Sequence, residues 1–281
     1  MQITKAVITA AGPGQNSLPL QKLVDRDGID KSALELIIEE VDSAGITDVG
    51  IVIRPGDEDA YRQAAGKYVE RITFLPQKEP RGYGDAILCA REFAEGQSLL
   101  HLVGDHLYLS KSGKRCAQQL IEIATTEKCA VSAVQSTRET MLPYFGAVGG
   151  LRLPQKDHLY EVKKVIEKPT PTQAEQELNV AGFRSGFYLC FFGMHVLTPM
   201  VFEILAGLAT QHTRSIPLAE ALNELAGRER YLACEIDGTR YNMGVKYGLL
   251  STQLALSLAG VDRDQVLSNL VELLATHSGS R

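Results

Sequence analysis

The chain has no cysteine pairing pattern. Its five cysteines, Cys89, Cys116, Cys129, Cys190 and Cys234, are scattered without CxxC spacing. Such scatter argues against a disulfide framework or a zinc site and fits reduced thiols in the cytoplasm. A basic surplus is missing too: 29 Lys and Arg stand against 34 Asp and Glu, a net charge of -5. A nucleic-acid backbone binder would show the opposite balance, so any anion must be met by a few local cations. The longest apolar stretch, GFYLCFFGMHVLTPMVFEIL, is interrupted by His195, Pro199 and Glu203 and predicts no membrane span. The short apolar run after Lys5 is too brief for a signal peptide. Internal repeats and low-complexity linkers are absent as well.

What is present is enough apolar material, 44% of 281 residues, to bury one large core. Residues 5 to 135 alternate short apolar runs with amphipathic helical patterns, which predicts βαβ units and a mostly parallel sheet. Strands are expected at 5–10, 48–53, 71–75, 99–103 and 130–134. Between the first two, SALELIIEEVDSAG puts Leu34, Ile37, Ile38 and Val41 on one helical face, with Ser32 and Glu35 spaced as a capping box and Gly45 as a stop. Similar spacing predicts helices over GDAILCAREFAEG and SGKRCAQQLIEIATTEK. After about residue 140 strands follow one another (YFGAVGGLRL, LYEVKKVIEK, RSGFYLCFF), then helices near 194–206 and 215–226, a strand at YLACEID, and helices at 245–259 and 262–276. The expected fold class is α/β with a Rossmann-like, mixed but mostly parallel sheet flanked by helices. One domain would span 1–260, with a nucleotide-binding half at 1–135 and a second half at 136–260, followed by a helical tail at 261–281. In that tail Val266, Leu267, Leu270, Val271 and Leu274 share one face. The helix is expected to pack on its own domain, a second subunit of a homo-oligomer being the alternative.

Ligands in open parallel sheets bind at the carboxyl ends of strands, and four turns stand there. The first is Ala11-Gly12-Pro13-Gly14, whose glycines allow close backbone approach. The second, LPQKEPRGYGDAILCA, offers Gln77 as donor and acceptor to a base edge and Gly82 and Gly84 before a helix. In LLHLVGDHLYL, Asp105 ends an apolar run as a plausible magnesium ligand, while His101 and His106 read as packing or surface residues. The fourth, VIEKPTP, sets Glu167 where it can accept from hydroxyls and Lys168 where it can meet a phosphate. Each taken singly has a bland alternative: a tight turn, a helix start, a surface ion pair.

Their order is more informative. A glycine turn, then Q-x4-G-x-G-x-A, apolar-G-D, F-G-x-V and V-I-E-K-P resembles the nucleotide-sugar pyrophosphorylases along nearly the whole chain, and within them the bacterial UTP:glucose-1-phosphate uridylyltransferases. The resemblance implies a Rossmann-like nucleotidyltransferase fold, in which a sugar 1-phosphate attacks UTP to give UDP-sugar and pyrophosphate with Mg2+ as cofactor. It further implies that Ala11, Gly12 and Gly14 present backbone to the nucleotide and that Gln77 and Gly82 hold the uracil. Gly146, Glu167 and Lys168 would line the sugar-phosphate pocket, and Asp105 and Asn242 would hold the metal. UTP and a sugar 1-phosphate are then the expected partners, with no nucleic acid and no membrane.

The chain departs from that family at three places. Gln15 and Asn16 stand where a Thr-Arg pair is usual. Asp25-Arg26 falls near the place of a Pro-Lys pair, and Asn242 replaces an aspartate. Lys22 and Arg26 are the cations expected to compensate by swinging toward the triphosphate, and are counted with Asp105 and Lys168 as catalytic candidates. The leading expectation is an active uridylyltransferase; the alternative is a homologue that binds a nucleotide or nucleotide sugar and transfers weakly or not at all.

Overall fold

The computed structural model describes residues 1–14, 16–212 and 214–278. Its first half is built on β1 (Lys5–Thr9), the hairpin β2 (Lys22–Val24) and β3 (Asp30–Ser32), helix α1 (Ala33–Ser43), β4 (Asp48–Ile53), α2 (Glu58–Ala65), β5 (Ile72–Pro76), α3 (Tyr83–Leu88), α4 (Arg91–Ala94), β6 (Leu99–Val103), β7 (His106–Ser110), α5 (Cys116–Glu127) and β8 (Ala130–Arg138). The second half continues with β9 (Ala147–Leu153), β10 (Lys156–Ile166), α6 (Pro171–Glu177), β11 (Phe187–Leu197), α7 (Pro199–Gln211), α8 (Leu218–Arg228), β12 (Tyr231–Glu235), β13 (Gly238–Asn242), α9 (Gly248–Leu258) and α10 (Arg263–Ser278).

Nine strands form one sheet in the order β5-β4-β1-β6-β11-β8-β12-β10-β9. β11 and β10 run against the rest; the others share one direction. Strand β1 explains why the centre is apolar on both faces. Ala6 and Ile8 enter one hydrophobic cluster with Leu34, Ile37 and Ile38 of α1, whereas Val7 enters the opposite one with Ile87 of α3 and Leu205 of α7. Period-two alternation sends neighbouring residues to opposite faces, and burying each large aliphatic contributes about 1.5–3 kcal/mol. Helix α1 carries the expected capping box: Glu35 N donates to Ser32 Oγ at 2.9 Å and Ser32 N to Glu35 Oε2 at 2.9 Å.

Two helical expectations are corrected. GDAILCAREFAEG breaks into α3 and α4, because the turn tightens where Ala90 N donates to Ile87 O at 2.9 Å. The helix expected from 194 starts instead at Pro199. Residues 194–197 stay in β11, paired with β6, and Pro199 fits the first helical position because its missing N–H is not needed there.

Strand β11 is the element that creates a cleft. Its C-terminal part pairs with β6 and, on the same edge, Leu189 and Cys190 pair with β9. The carboxyl end of β6 and the start of β9 therefore face each other along that edge, with residues 191–193 of β11 spanning the gap between them. On this framework His101 and His195 are register partners in adjacent strands, with rings 5.7 Å apart. Burial pushes both imidazoles below their ordinary value, His195 to about 3. They are neutral packing groups.

The tail does not pack as expected. Helix α10 follows α9 and lies against it, but Val271 and Leu274 are 65% and 68% exposed, so the apolar face is not buried by its own domain.

Candidate functional site

The strand ends around that cleft enclose a cavity of about 360 Å³. Its walls include Ala11 and Gly12 after β1, Gln77 after β5, Gly82 and Tyr83 at the start of α3, Gly104 and Asp105 after β6, Glu167 and Lys168 after β10, and Asn242 at the end of β13. A smaller chamber of about 110 Å³ adjoins it, sharing Tyr83, His106, Tyr144 and Glu167 and adding Gly146. Residues separated by up to 233 positions, Thr9 and Asn242, are thus brought together.

The strand ends are held by their neighbours. Gln77 Nε2 donates to Gly82 O at 3.2 Å and to Asp85 Oδ2 at 2.7 Å, tying the strand end to the start of α3. Gly82 has φ +97° there, and a Cβ would meet Ser215 Oγ at 2.6 Å, so only glycine fits without strain. At Gly146 the constraint is proximity. A Cβ would lie 2.8 Å from the Phe191 ring and 2.9 Å from Glu167 Oε2. Lys168 adopts φ +46° while its N–H donates to Phe145 O at 3.2 Å, a backbone state that costs about 1–3 kcal/mol for a non-glycine. It is the only Lys or Arg among the described residues lining the main cavity.

Asp105 is 9% exposed. Burial raises its carboxyl, but His106, with Nδ1 2.7 Å from Asp105 Oδ1, outweighs that and holds it below the usual carboxylate value. Glu167 behaves oppositely: the surrounding protein pushes it up, Lys168 opposing, even though its edge opens to the cavity. Asp105 and Asn242 are the side chains that could hold a divalent cation here. A Cβ placed on Gly244 would lie 3.2 Å from Asn242 Oδ1 and 3.4 Å from Asp105 Oδ2, so the two oxygens flank one point. Asn242 Oδ1 already accepts from Gly244 N at 2.7 Å, which orients it. A carboxylate and an amide oxygen are hard donors of the kind that would suit magnesium.

The first loop answers differently. Arg54, just after β4, donates from Nε to Ala11 O and from Nη2 to Gly12 O, both at 3.1 Å. Asn16 points the other way, its Nδ2 donating to Asp57 Oδ2 at 3.0 Å. Gly14 is not among the residues lining the cavity, and Gln15 lies outside the described residues. Neither compensating cation is brought to the cavity. Lys22 is exposed on the β2–β3 hairpin, in register with Ser32, and Arg26 borders a separate cleft with Glu40 and Tyr108. The segment cannot swing freely because Gln253 bonds both the N–H and the carbonyl of Val24, at 2.9 and 3.0 Å.

A search of protein-family models matches residues 5–242 to the nucleotidyl transferase family. The chain belongs to that family. Among similar curated proteins, UTP-glucose-1-phosphate uridylyltransferase YngB of Bacillus subtilis (strain 168) is 28% identical, covering 97% of this chain and 96% of its own. The UTP-glucose-1-phosphate uridylyltransferase of Streptococcus pneumoniae serotype 4 is 27% identical with the same coverage. A UDP-glucose pyrophosphorylase crystallised with UDP-glucose superimposes with a TM-score of 0.73 at 23% identity, over 90% of this chain and 98% of that one. The UTP-bound enzyme from Acinetobacter baumannii gives 0.73 at 19%, over 96% and 99%. The nucleotidyl transferase fold is therefore shared along nearly the whole length.

Sequence reasoning missed His106, Tyr83, Tyr144 and Arg54. His106 was visible beside Asp105 but read as packing; it lines the cavity and grips the carboxylate. Nothing in the sequence marks Arg54, which stands 42 positions from Gly12.

Proposed function

We propose that this nucleotidyl transferase joins glucose 1-phosphate to UTP. A phosphate oxygen of the sugar phosphate attacks the α-phosphorus of UTP, the bond from that phosphorus to the bridging oxygen breaks, and pyrophosphate leaves with its electron pair, giving UDP-glucose. The attacking oxygen is already an anion, so no general base is required; alignment and charge neutralisation carry the rate. The observation that supports this most is the single cavity holding Gln77, Asp105, Glu167, Lys168 and Asn242 together.

In this reading the Ala11-Gly12 backbone, braced by Arg54, and Gln77 receive the uracil. Glu167 accepts from sugar hydroxyls and Lys168 meets the sugar phosphate. Asp105 and Asn242 hold Mg2+, which when bound neutralises phosphate charge. The names of the similar proteins point to the same substrates. Among the described residues no helix is long and apolar enough to cross a membrane, and all five cysteines are free, in keeping with work in the cytoplasm.

A second reading has its own support: with Asn16 turned to Asp57 and Lys22 and Arg26 away from the cavity, Lys168 is the only Lys or Arg among the described residues that lines it. That favours a protein that binds UTP without transferring it. Pyrophosphate release from UTP, glucose 1-phosphate and Mg2+, with UTP binding measured in parallel, separates the two. Release above the uncatalysed rate supports the transferase; micromolar UTP binding with no release supports the binder.

A further inference from the structure

Behind Asn242 lies a second cavity of about 420 Å³, bordered by Gln135, Thr137, Arg138, Phe145, Arg240 and Ser251 among others. Arg240 is its unusual member. Its residue is 8% exposed, and burial lowers its ordinary value to about 10. No carboxylate is bonded to it among the described residues. Its one side-chain hydrogen bond is a long one, Nη2 to Thr137 Oγ1 at 3.4 Å, and its guanidinium stacks 3.8 Å from the centroid of the Phe145 ring. Nε and Nη1 are sealed from solvent without an acceptor.

Stacking does not repair that deficit. A ring face attracts the flat face of a guanidinium, whereas the N–H donors point outward in its plane and need oxygen acceptors. A buried cation left in this state is destabilising, a burden found where a charged partner arrives. The cavity wall fits an anion. Arg138 adds a second, exposed cation, Gln135, Thr137 and Ser251 add neutral polar groups, and among the described residues no Asp or Glu lines it.

We propose that this cavity is a second binding site, distinct from the nucleotide cavity, for a phosphate group, either free or carried on a small organic molecule. On binding, Arg240 turns its guanidinium from Thr137 to give two N–H groups to phosphate oxygens, Arg138 closes over the remaining charge, and Phe145 and Phe187 offer apolar surface to an organic substituent. Arg240 and Asn242 stand two apart on β13 and so share one face. Asn242 borders both cavities, which makes the second site a neighbour of the proposed metal position.

The test is isothermal titration of phenyl phosphate and of inorganic phosphate into the whole protein, with circular dichroism to check folding. The expected result is saturable binding of one equivalent that survives Lys168→Ala within twofold. Arg240→Gln, or the added negative charge of Ser251→Glu on the exposed rim, weakens it about tenfold or more. Phenyl phosphate binding at least threefold tighter than phosphate identifies a carried phosphate; equal binding identifies the free ion. Absence of saturable binding, or its loss in Lys168→Ala, overturns the proposal. So does retention in a folded Arg240→Gln protein, or in Ser251→Glu should Arg240→Gln not fold.

Discussion

Asn16 donates its side-chain amide to the Asp57 carboxylate at 3.0 Å, and Tyr61 Oη donates to Asn16 O at 2.7 Å. The first loop is thereby turned toward the start of α2 at the position where the resemblance implies an arginine. Asp57 stands before α2 yet caps no backbone N–H, so its charge is free to hold whatever replaces Asn16.

The pairing makes a simple restoration insufficient. Asn16→Arg alone is expected to change turnover less than threefold, because Asp57 captures the new guanidinium. Asn16→Arg with Asp57→Asn releases it toward the phosphates, and kcat should rise about tenfold or more, a fraction of what an arginine supplies in other phosphoryl transfers. Steady-state pyrophosphate release on the three proteins checks this. Equal gains in single and double variants would mean that Asp57 does not restrain residue 16.

Lys168→Ala should lower kcat/KM by about 10²–10³, as loss of one group that meets developing charge does in comparable sites. Lys22→Ala and Arg26→Ala should stay within twofold of wild type, since neither residue lines the cavity. The same assay reads all three.

Glu167→Gln keeps the shape of the side chain and removes its charge. KM for glucose 1-phosphate should rise about tenfold, the cost of one charge-assisted hydrogen bond, with KM for UTP unchanged. A matching rise for both substrates would place Glu167 at the nucleotide instead.

His106 lowers the Asp105 value below the usual carboxylate range. A depressed folded value means stability that is present above the unfolded value near 3.8 and is lost as pH falls through the folded one. His106→Ala should therefore destabilise the protein by about 1–3 kcal/mol at pH 7, with a smaller gap at pH 3. Urea unfolding at the two pH values measures the difference. A gap that does not shrink would assign the loss to packing.

Local order was legible where periodicity and capping agreed. The alternation of Ala6, Val7 and Ile8, and the Ser32/Glu35 box ahead of Leu34, Ile37 and Ile38, led to β1 and α1 as observed. Residues 194–197 were not legible, because a short apolar run fits strand or helix equally until its pairing partner Leu99–Leu102 is known. The site divides similarly. Gln77, Asp105, Glu167 and Lys168 were marked by their places at strand ends, and the cavity gathers them. Lys22 and Arg26 were expected to reach it because chain proximity was taken for spatial proximity, which the hairpin and Gln253 prevent. The hold of Asp57 on Asn16 spans 41 positions, and no local pattern announces it.

The central claim concerns one cavity, and a crystal soaked with UTP and magnesium tests it most directly. The account predicts the uracil against Gln77 and the Ala11-Gly12 backbone, with the phosphates near Asp105 and Lys168 and the ion between Asp105 and Asn242. A nucleotide bound elsewhere, or a cavity left without one at saturating UTP, would contradict it.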